Sequence, residues 1–300
     1  MVTVRQARPD DHEAVAEFTR DTWPERGGDY VPDVFPKWVA GDGPDQRTFV
    51  AVDGDPVGVC QSVLVSGHEA WAQGMRVAPD HRDAGVGRRL NDAVFDWAAD
   101  RGATVCRNMV FDWNPPGMAA SRAFGYDPGP ALRAVHPEPD PDPGYDPGGF
   151  EVVADPDAAW TCWTRSDARD HLSGLAMDID ESWAVAELTR DRLVRTADET
   201  ALFAVRDDRT RAVGYRVRKC DRETDNGTTR WAEYGLGAWH DPAAARALLA
   251  ALARDAAAVD AERTRVFVPE ATRPISDAAG AGVEVGERAM FIFEADLTGR

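Results

Sequence analysis

The segment RVAPDHRDAGVGRRL, Arg76–Leu90, sets a proline, two glycines and several basic residues between an apolar run and what reads as the first turns of a helix. A chain that ends a strand at Pro79 and enters a helix near Val86 exposes several backbone N–H groups. They have no partner inside the helix, and the helix dipole adds about half a positive charge at that end. Such a junction suits an anion, phosphate above all. Gly85 and Gly87 carry no Cβ, so a diphosphate can approach the main chain. Arg82 and Arg88 add charge and can grip phosphate through two N–H groups each. A P-loop is excluded because no lysine follows the glycines, and a dinucleotide fingerprint because Leu90 stands where its third glycine belongs.

The elements that must position this junction follow from periodicity. Residues 2–7 alternate as a strand, and Pro9-Asp10-Asp11 opens a helix. In GGDYVPDVFPKWVAGDG, Tyr30, Val34, Phe35 and Trp38 repeat at a broken helical spacing, which fits a short helix or lid; its aromatics line a substrate pocket or pack on the sheet. Thr48–Val52 and Val57–Val65 read as a hairpin around Asp53-Gly54-Asp55-Pro56, and HEAWAQGMRVAP as a further strand. After the junction, Leu90, Val94, Trp97 and Ala98 fall on one helical face. A strand TVCRNMVF, a short helix after Asn114 and a strand ALRAVHP complete this half.

In that order, the segment closely resembles the acyl-CoA site of the Gcn5-related N-acetyltransferase (GNAT) family. Its signature is Arg or Gln, two residues, Gly, one residue, then Gly or Ala, after a strand ending V-x-P. Arg82-Asp83-Ala84-Gly85-Val86-Gly87 and Val77-Ala78-Pro79 fit it, and the resemblance covers about residues 2–136. It implies an α/β (α+β) fold with a mixed, strongly bent sheet flanked by helices, whose fourth and fifth strands part to admit acetyl-CoA. The resemblance further implies that main chain around Met75, Arg76 and Val77 binds the pantetheine arm, and that N–H groups of Asp83, Ala84, Gly85, Val86, Gly87 and Arg88 bind the pyrophosphate. Asn114 matches the family's asparagine near the CoA arm.

Direct attack of an amine on a thioester needs a neutral amine and a proton for the leaving thiolate. Where many relatives carry a Glu and a Tyr for this, the sequence has Gln73 and Ser121. Glu69, on the strand face of Gln73 by two-residue alternation, is the best replacement base, against the plainer reading of an exposed Glu at a strand start. Asp112 and Tyr30 are lesser candidates, Tyr30 and Trp38 are candidates for substrate contact, and His68 and His81 read as surface residues.

The second half repeats the order of elements: strand and helix from Phe150, a hairpin around Asp207-Asp208-Arg209, the strand RWAEYGLGAW, the helix ARALLAALARDAAAV and two later strands. The glycine-rich junction is missing, since Trp239-His240-Asp241-Pro242-Ala243 leads straight into the helix. The expected organisation is therefore a catalytic domain over 1–136, a Pro/Asp/Gly-rich linker over 137–149 and a degenerate GNAT-like domain over 150–300 that lacks the pyrophosphate loop.

A formal charge of −18 over 300 residues argues against nonspecific attraction to nucleic acid or an anionic membrane. Only Lys37 and Lys219 among the 34 basic residues are lysines, so the composition resembles that of salt-adapted, GC-rich organisms, haloarchaea above all. Cys60, Cys106, Cys162 and Cys220 are far apart and the His residues scattered, so no metal is expected. No long apolar run or signal-peptide core is present, which reads as a cytoplasmic protein.

The expected activity is acetyl-CoA-dependent N-acetyl transfer to an amine of a small molecule, by a monomer or homodimer. The alternative is a CoA-binding, non-catalytic sensor or regulator. DYVPDVFPKW, GMRVAPDHRDAGVG, WTCWTRSDARDHLSG and DESWAVAELTRDRL also resemble the animal histidine N-acetyltransferase group, which would make the acceptor the α-amine of an amino acid.

Overall fold

The computed structural model describes residues 1–144, 149–224 and 227–300. The chain divides into two compact units. One comprises Met1–Met109, Pro115–Pro128 and Phe293–Arg300, and the other Val110–Asn114 and Gly129–Ile292.

The first unit opens with β1 (Thr3–Gln6), α1 (His12–Thr19) and α2 (Val31–Gly41). The antiparallel run β2 (Gln46–Asp53), β3 (Asp55–Leu64) and β4 (Glu69–Val77) leads into α3 (Val86–Ala99), then β5 (Val105–Phe111) and α4 (Pro115–Phe124). The strand order is β1-β2-β3-β4-β5, antiparallel except for β4 and β5. The β2–β3 turn is tighter than the sequence suggests: Gly54 takes φ +83°, and Pro56 lies inside β3 at a register shift. A proline tolerates that site because a bulge leaves a ladder position unpaired.

The sheet's two faces bury different sets. On one, Val31 and Phe35 of α2 join Val15, Val50 and Val59 in a core. On the other, Leu90 and Val86 of α3 lie over Gly58, where a Cβ would come 2.9 Å from Leu90. Leu90, Val94, Trp97 and Ala98 are all buried, as their spacing predicts. The last residues of the chain also belong here. Leu297 N–H donates to Thr104 O at 2.9 Å, and Arg300 pairs with Asp92 and Asp96 while covering the Phe95 ring.

The second unit is built from β6 (Asp127–His136), β7 (Glu151–Val153), α5 (Pro156–Trp163), α6 (Asp167–His171), β8 (Leu175–Met177), β9 (Val185–Glu187) and α7 (Arg190–Glu199). There follow β10 (Ala201–Arg206), β11 (Thr210–Thr224), β12 (Gly227–Trp239), α8 (Pro242–Ala258), β13 (Arg263–Pro269), α9 (Thr272–Gly280) and β14 (Glu284–Asp296). Its strands run β14-β6-β13-β12-β11-β10-β7, and β8 and β9 form a separate pair. The element order matches the repeat expected from sequence. The short elements between 167 and 199 were not legible, because three-residue strands show no periodicity.

The expected boundaries shift at both ends of the second unit. β6 was expected to close the first domain, but it pairs with β13 from Val135↔Val266 to Leu132↔Pro269, and Arg133 forms a two-point ion pair with Glu270. Part of the expected linker packs as well: Pro137 O accepts from Thr264 Oγ1 and Asp140 N–H donates to Ala253 O. Its residues 145–148 lie outside the described residues. Among the described residues no helix is long and apolar enough to cross a membrane.

Candidate functional site

β4 stops at Val77, a single turn spans Pro79–His81, and α3 begins after Gly85. Two residues hold left-handed backbone, Asp83 at φ +60° and Gly85 at φ +75°. Gly85 is the residue before the first helical turn, and no side chain caps the helix. The helix ladder starts with Arg89 N–H to Gly85 O at 3.2 Å. Among the described residues, the six consecutive N–H groups of Asp83, Ala84, Gly85, Val86, Gly87 and Arg88 have no hydrogen-bond acceptor. Unpaired donors at a helix start are a group of dipoles suited to an anion without help from a side chain.

The two glycines serve different ends. A Cβ on Gly85 would meet nothing within 4 Å, so its need is the left-handed backbone, and the space above it is open. A Cβ on Gly87 would sit 2.8 Å from Phe124 Cζ, so this glycine admits α4 against α3. Arg82 Nε donates to Val77 O at 3.3 Å. Arg88 binds Ala123 O and pairs with Asp92, which leaves the main chain as the loop's principal contribution.

β4 carries the second feature. Opposite β3 the register passes from Gln61↔Gln73 to Val59↔Arg76, so Gly74 and Met75 form a bulge, with Gly74 at φ +66°. A Cβ on Gly74 would lie 2.4 Å from Trp38 Cη2, so the Trp38 ring sits on the bulge. On its other edge β4 pairs with β5 only from Glu69↔Val105 to Trp71↔Arg107, and beyond that the two strands part. Met75 O accepts from Arg76 Nη1 at 3.0 Å.

The face of β4 toward α1 and α2 is polar and aromatic. Arg76 grips Asp29 through Nε and Nη2 at 2.5 and 3.0 Å, and its guanidinium lies over Trp23 and, farther off, Tyr30. Asp29 also accepts Val31 N–H at 3.1 Å and so fixes the start of α2. Tyr30, 48% exposed, meets Trp38 edge to face at 6.2 Å. The packing role expected of the helix's aromatics is present: Phe35 is in the core, Trp38 packs against that core and lies over the Gly74 bulge, and Tyr30 sits against Trp38. Gln73 donates to Gln61 Oε1, Gln61 to Thr48 Oγ1, and Thr48 to Asp42, a chain that fixes the Gln73 amide.

Glu69 is not the exposed residue at a strand start of the plainer reading. It is 1% exposed, and its oxygens accept from Arg107 Nη1 at 2.5 Å and Ser66 Oγ at 2.8 Å. Arg107 also reaches Glu294 at 3.2 Å. Ser121 is buried and exchanges hydrogen bonds with Asn108. Asp112 and Asn114 lie in the segment assigned to the second unit. Asp112 Oδ1 is buried with no hydrogen-bond partner among the described residues, and Asn114 N–H closes a turn on Phe111 O just before α4.

Sequence reasoning missed Asp29, Gln61 and Arg107. Asp29 left a signal, an acid two residues before a helix start. The other two left none, because their partners stand 12 and 38 residues away.

The family model described as acetyltransferase (GNAT) family matches residues 12–126. The chain is 31% identical over 138 residues to an aminoglycoside N(6')-acetyltransferase type 1 of Stenotrophomonas maltophilia, covering 42% of this chain and 86% of that protein. It is 40% identical over 93 residues to a streptothricin acetyltransferase of Streptomyces lavendulae, covering 29% of this chain and about half, 47%, of that relative's length. A GCN5-related N-acetyltransferase structure from Sphaerobacter thermophilus aligns with 99% of this chain and 96% of its own at TM-score 0.62 and 16% identity. A tandem GNAT protein from the clavulanic acid biosynthesis pathway aligns over 100% of both chains at TM-score 0.52 and 15% identity, so the fold, a mixed α/β sheet flanked by helices, is shared over the full length. With the signature loop, the bulge and the parting strands in place, the chain belongs to the acetyltransferase (GNAT) family.

Proposed function

We propose that the protein is an acetyl-CoA-dependent N-acetyltransferase that moves an acetyl group to an amine of a small molecule by direct attack. The observation that carries this reading is the run of six N–H groups without acceptors, residues 83–88, next to a bulged strand that parts from its neighbour. When bound, acetyl-CoA supplies the thioester carbonyl that a neutral amine attacks. The N–H groups of Asp83–Arg88 hold the pyrophosphate, and the main chain of Met75–Val77 orients the pantetheine arm. Tyr30 and Trp38 form the acceptor-facing surface. Asp29 already neutralises Arg76, so aromatic faces rather than net charge receive the amine.

Gln73 is an amide fixed by Gln61, so it orients and does not take a proton. Ser121, held by Asn108, is placed to settle the Asn108 amide. The relatives' names, one for streptothricin and one for an aminoglycoside, support a small amine as acceptor. The narrower reading, an amino-acid α-amine, rests on sequence resemblance.

The test is thiol release from acetyl-CoA with a panel of aminoglycosides, streptothricin and free amino acids, at low salt and in molar KCl. Turnover with at least one amine is expected, and its identity separates the two acceptor readings. CoA binding without turnover on any amine overturns catalysis in favour of a CoA-binding regulator.

A further inference from the structure

The second unit holds three arginines around one carboxylate, outside everything the acetyl-transfer reading uses. Register places Arg218, Cys220 and Arg222 of β11, Trp231 and Glu233 of β12, and Arg263 and Arg265 of β13 on one face of the sheet. Ala232 and Tyr234, on the opposite face, belong to the core under α8. Glu233 is 0% exposed and pairs with Arg265 at 2.9 Å, Arg222 at 2.5 Å and Arg218 at 3.5 Å. The Arg265 side chain is 4% exposed, with its guanidinium 3.4 Å above the Trp183 ring, and Arg222 lies 4.8 Å above the Trp231 ring. Trp183 holds a left-handed backbone, φ +67°, to place that ring.

Arg265, Arg222 and Arg218 thus set three guanidiniums around the one carboxylate of Glu233. Asp178 and Asp180 pair with Arg192 and Arg195. Arg218 Nη2 donates to the carbonyl oxygens of Asp178 and Glu181. Around Glu233 itself positive charge exceeds negative, in a chain whose overall charge is −18, and the Arg218 and Arg222 side chains stay partly exposed. Among the described residues three buried donors, Arg218 Nε, Arg218 Nη1 and Trp231 Nε1, make no hydrogen bond, and neither does Glu233 Oε2, 3.5 Å from Arg218 Nε. Burial pushes Arg265 down to about 9, opposed by Glu233 and helped to a smaller degree by Arg222 and Arg218.

We propose that this face of the second unit binds a small oxyanion, a phosphate or a carboxylate, which accepts from Arg218, Arg222 and the Trp231 indole and offsets the excess charge. Guanidiniums stacked on indole rings are pre-oriented, so little freedom is lost when the anion arrives.

The test is isothermal titration of the full chain carrying Gly85→Glu, which removes the anion site of the first unit, in chloride-free buffer. One arm uses inorganic phosphate and the other acetate. One saturable site is expected in at least one arm, and the tighter arm identifies the ligand as phosphorylated or carboxylic. Arg222→Leu, at a partly exposed side chain, is expected to weaken binding about tenfold or more, and Glu233→Gln, which removes the competing carboxylate, to tighten it. No saturation by either anion up to about 10 mM, or binding unchanged by Arg222→Leu, would overturn the proposal.

Discussion

The strand-to-helix junctions of the two units solve the same backbone problem in opposite ways. Before α3 the chain takes two left-handed residues and leaves six N–H groups open. Before α8 it enters directly, and Asp241 caps the helix: Oδ1 accepts Ala244 N–H at 2.9 Å, and its carbonyl accepts Ala245 N–H at 3.0 Å. The carboxylate of Asp241 thus occupies the place a ligand anion would take in the first unit. The surrounding geometry is otherwise alike. β12 and β13 pair in parallel from Trp231↔Arg263 to Tyr234↔Val266 and then part, as β4 and β5 do. β12 also carries a glycine bulge, between Arg216↔Tyr234 and Gly214↔Gly237. There, a Cβ on Gly235 would lie 2.1 Å from Tyr215 Cζ, whereas the bulge of β4 faces the Trp38 ring. Both bulges are thus covered by an aromatic ring of their own unit, and the difference lies at the helix start, which the second unit fills with its own carboxylate.

The comparison breaks most sharply at Gly85. Gly85→Glu puts a negative charge and a strained side chain at φ +75°, and should weaken CoA binding by about 100-fold or more in calorimetry. Ala243→Glu at the matching turn of α8 should leave that affinity unchanged. Next in size, Gly235→Ala forces a methyl into the buried Tyr215 ring and should cost about 3 kcal/mol in urea unfolding. Gly74→Ala strains a left-handed site at φ +66° and drives a methyl into the Trp38 ring, so it should lower stability in urea unfolding and raise the KM for the amine. Asp241→Ala removes a cap, and should lower stability by about 1 kcal/mol while sparing CoA affinity.

The smallest effect concerns the thiols under the first unit's sheet. Burial pushes Cys60 and Cys106 up to about 12 from an ordinary value of 9.0. Both should resist iodoacetamide at neutral pH, while the half-buried Cys220 reacts. The unfolded chain ionises these thiols above about pH 9 and the folded one does not, so urea stability is full below that pH and falls as pH rises toward 12.

The legible part of the site was its backbone part. A left-handed turn and an open helix start are written locally, in Asp83, Ala84, Gly85 and the residues beside them. Side-chain roles were less legible. Glu69 shares the face of Gln73 as alternation requires, but its burial against Arg107 depends on a strand 38 residues away. Gly87 looked like a ligand-clearance glycine because sequence does not reveal that Phe124 arrives there.

The sequence by itself determined the order of the longer elements in both units and the presence of a glycine-rich helix start in one half and its absence in the other. Each of these is set by residues within a few positions of one another. Only the tertiary structure decided that β6 and residues 137–140 pack into the second unit, that residues 293–300 return to the first, and that the second unit gathers three arginines on one carboxylate. The reason is physical. Strand pairing and charge balance are made between residues distant in the chain, and local spacing says nothing about which distant partner a side chain will meet.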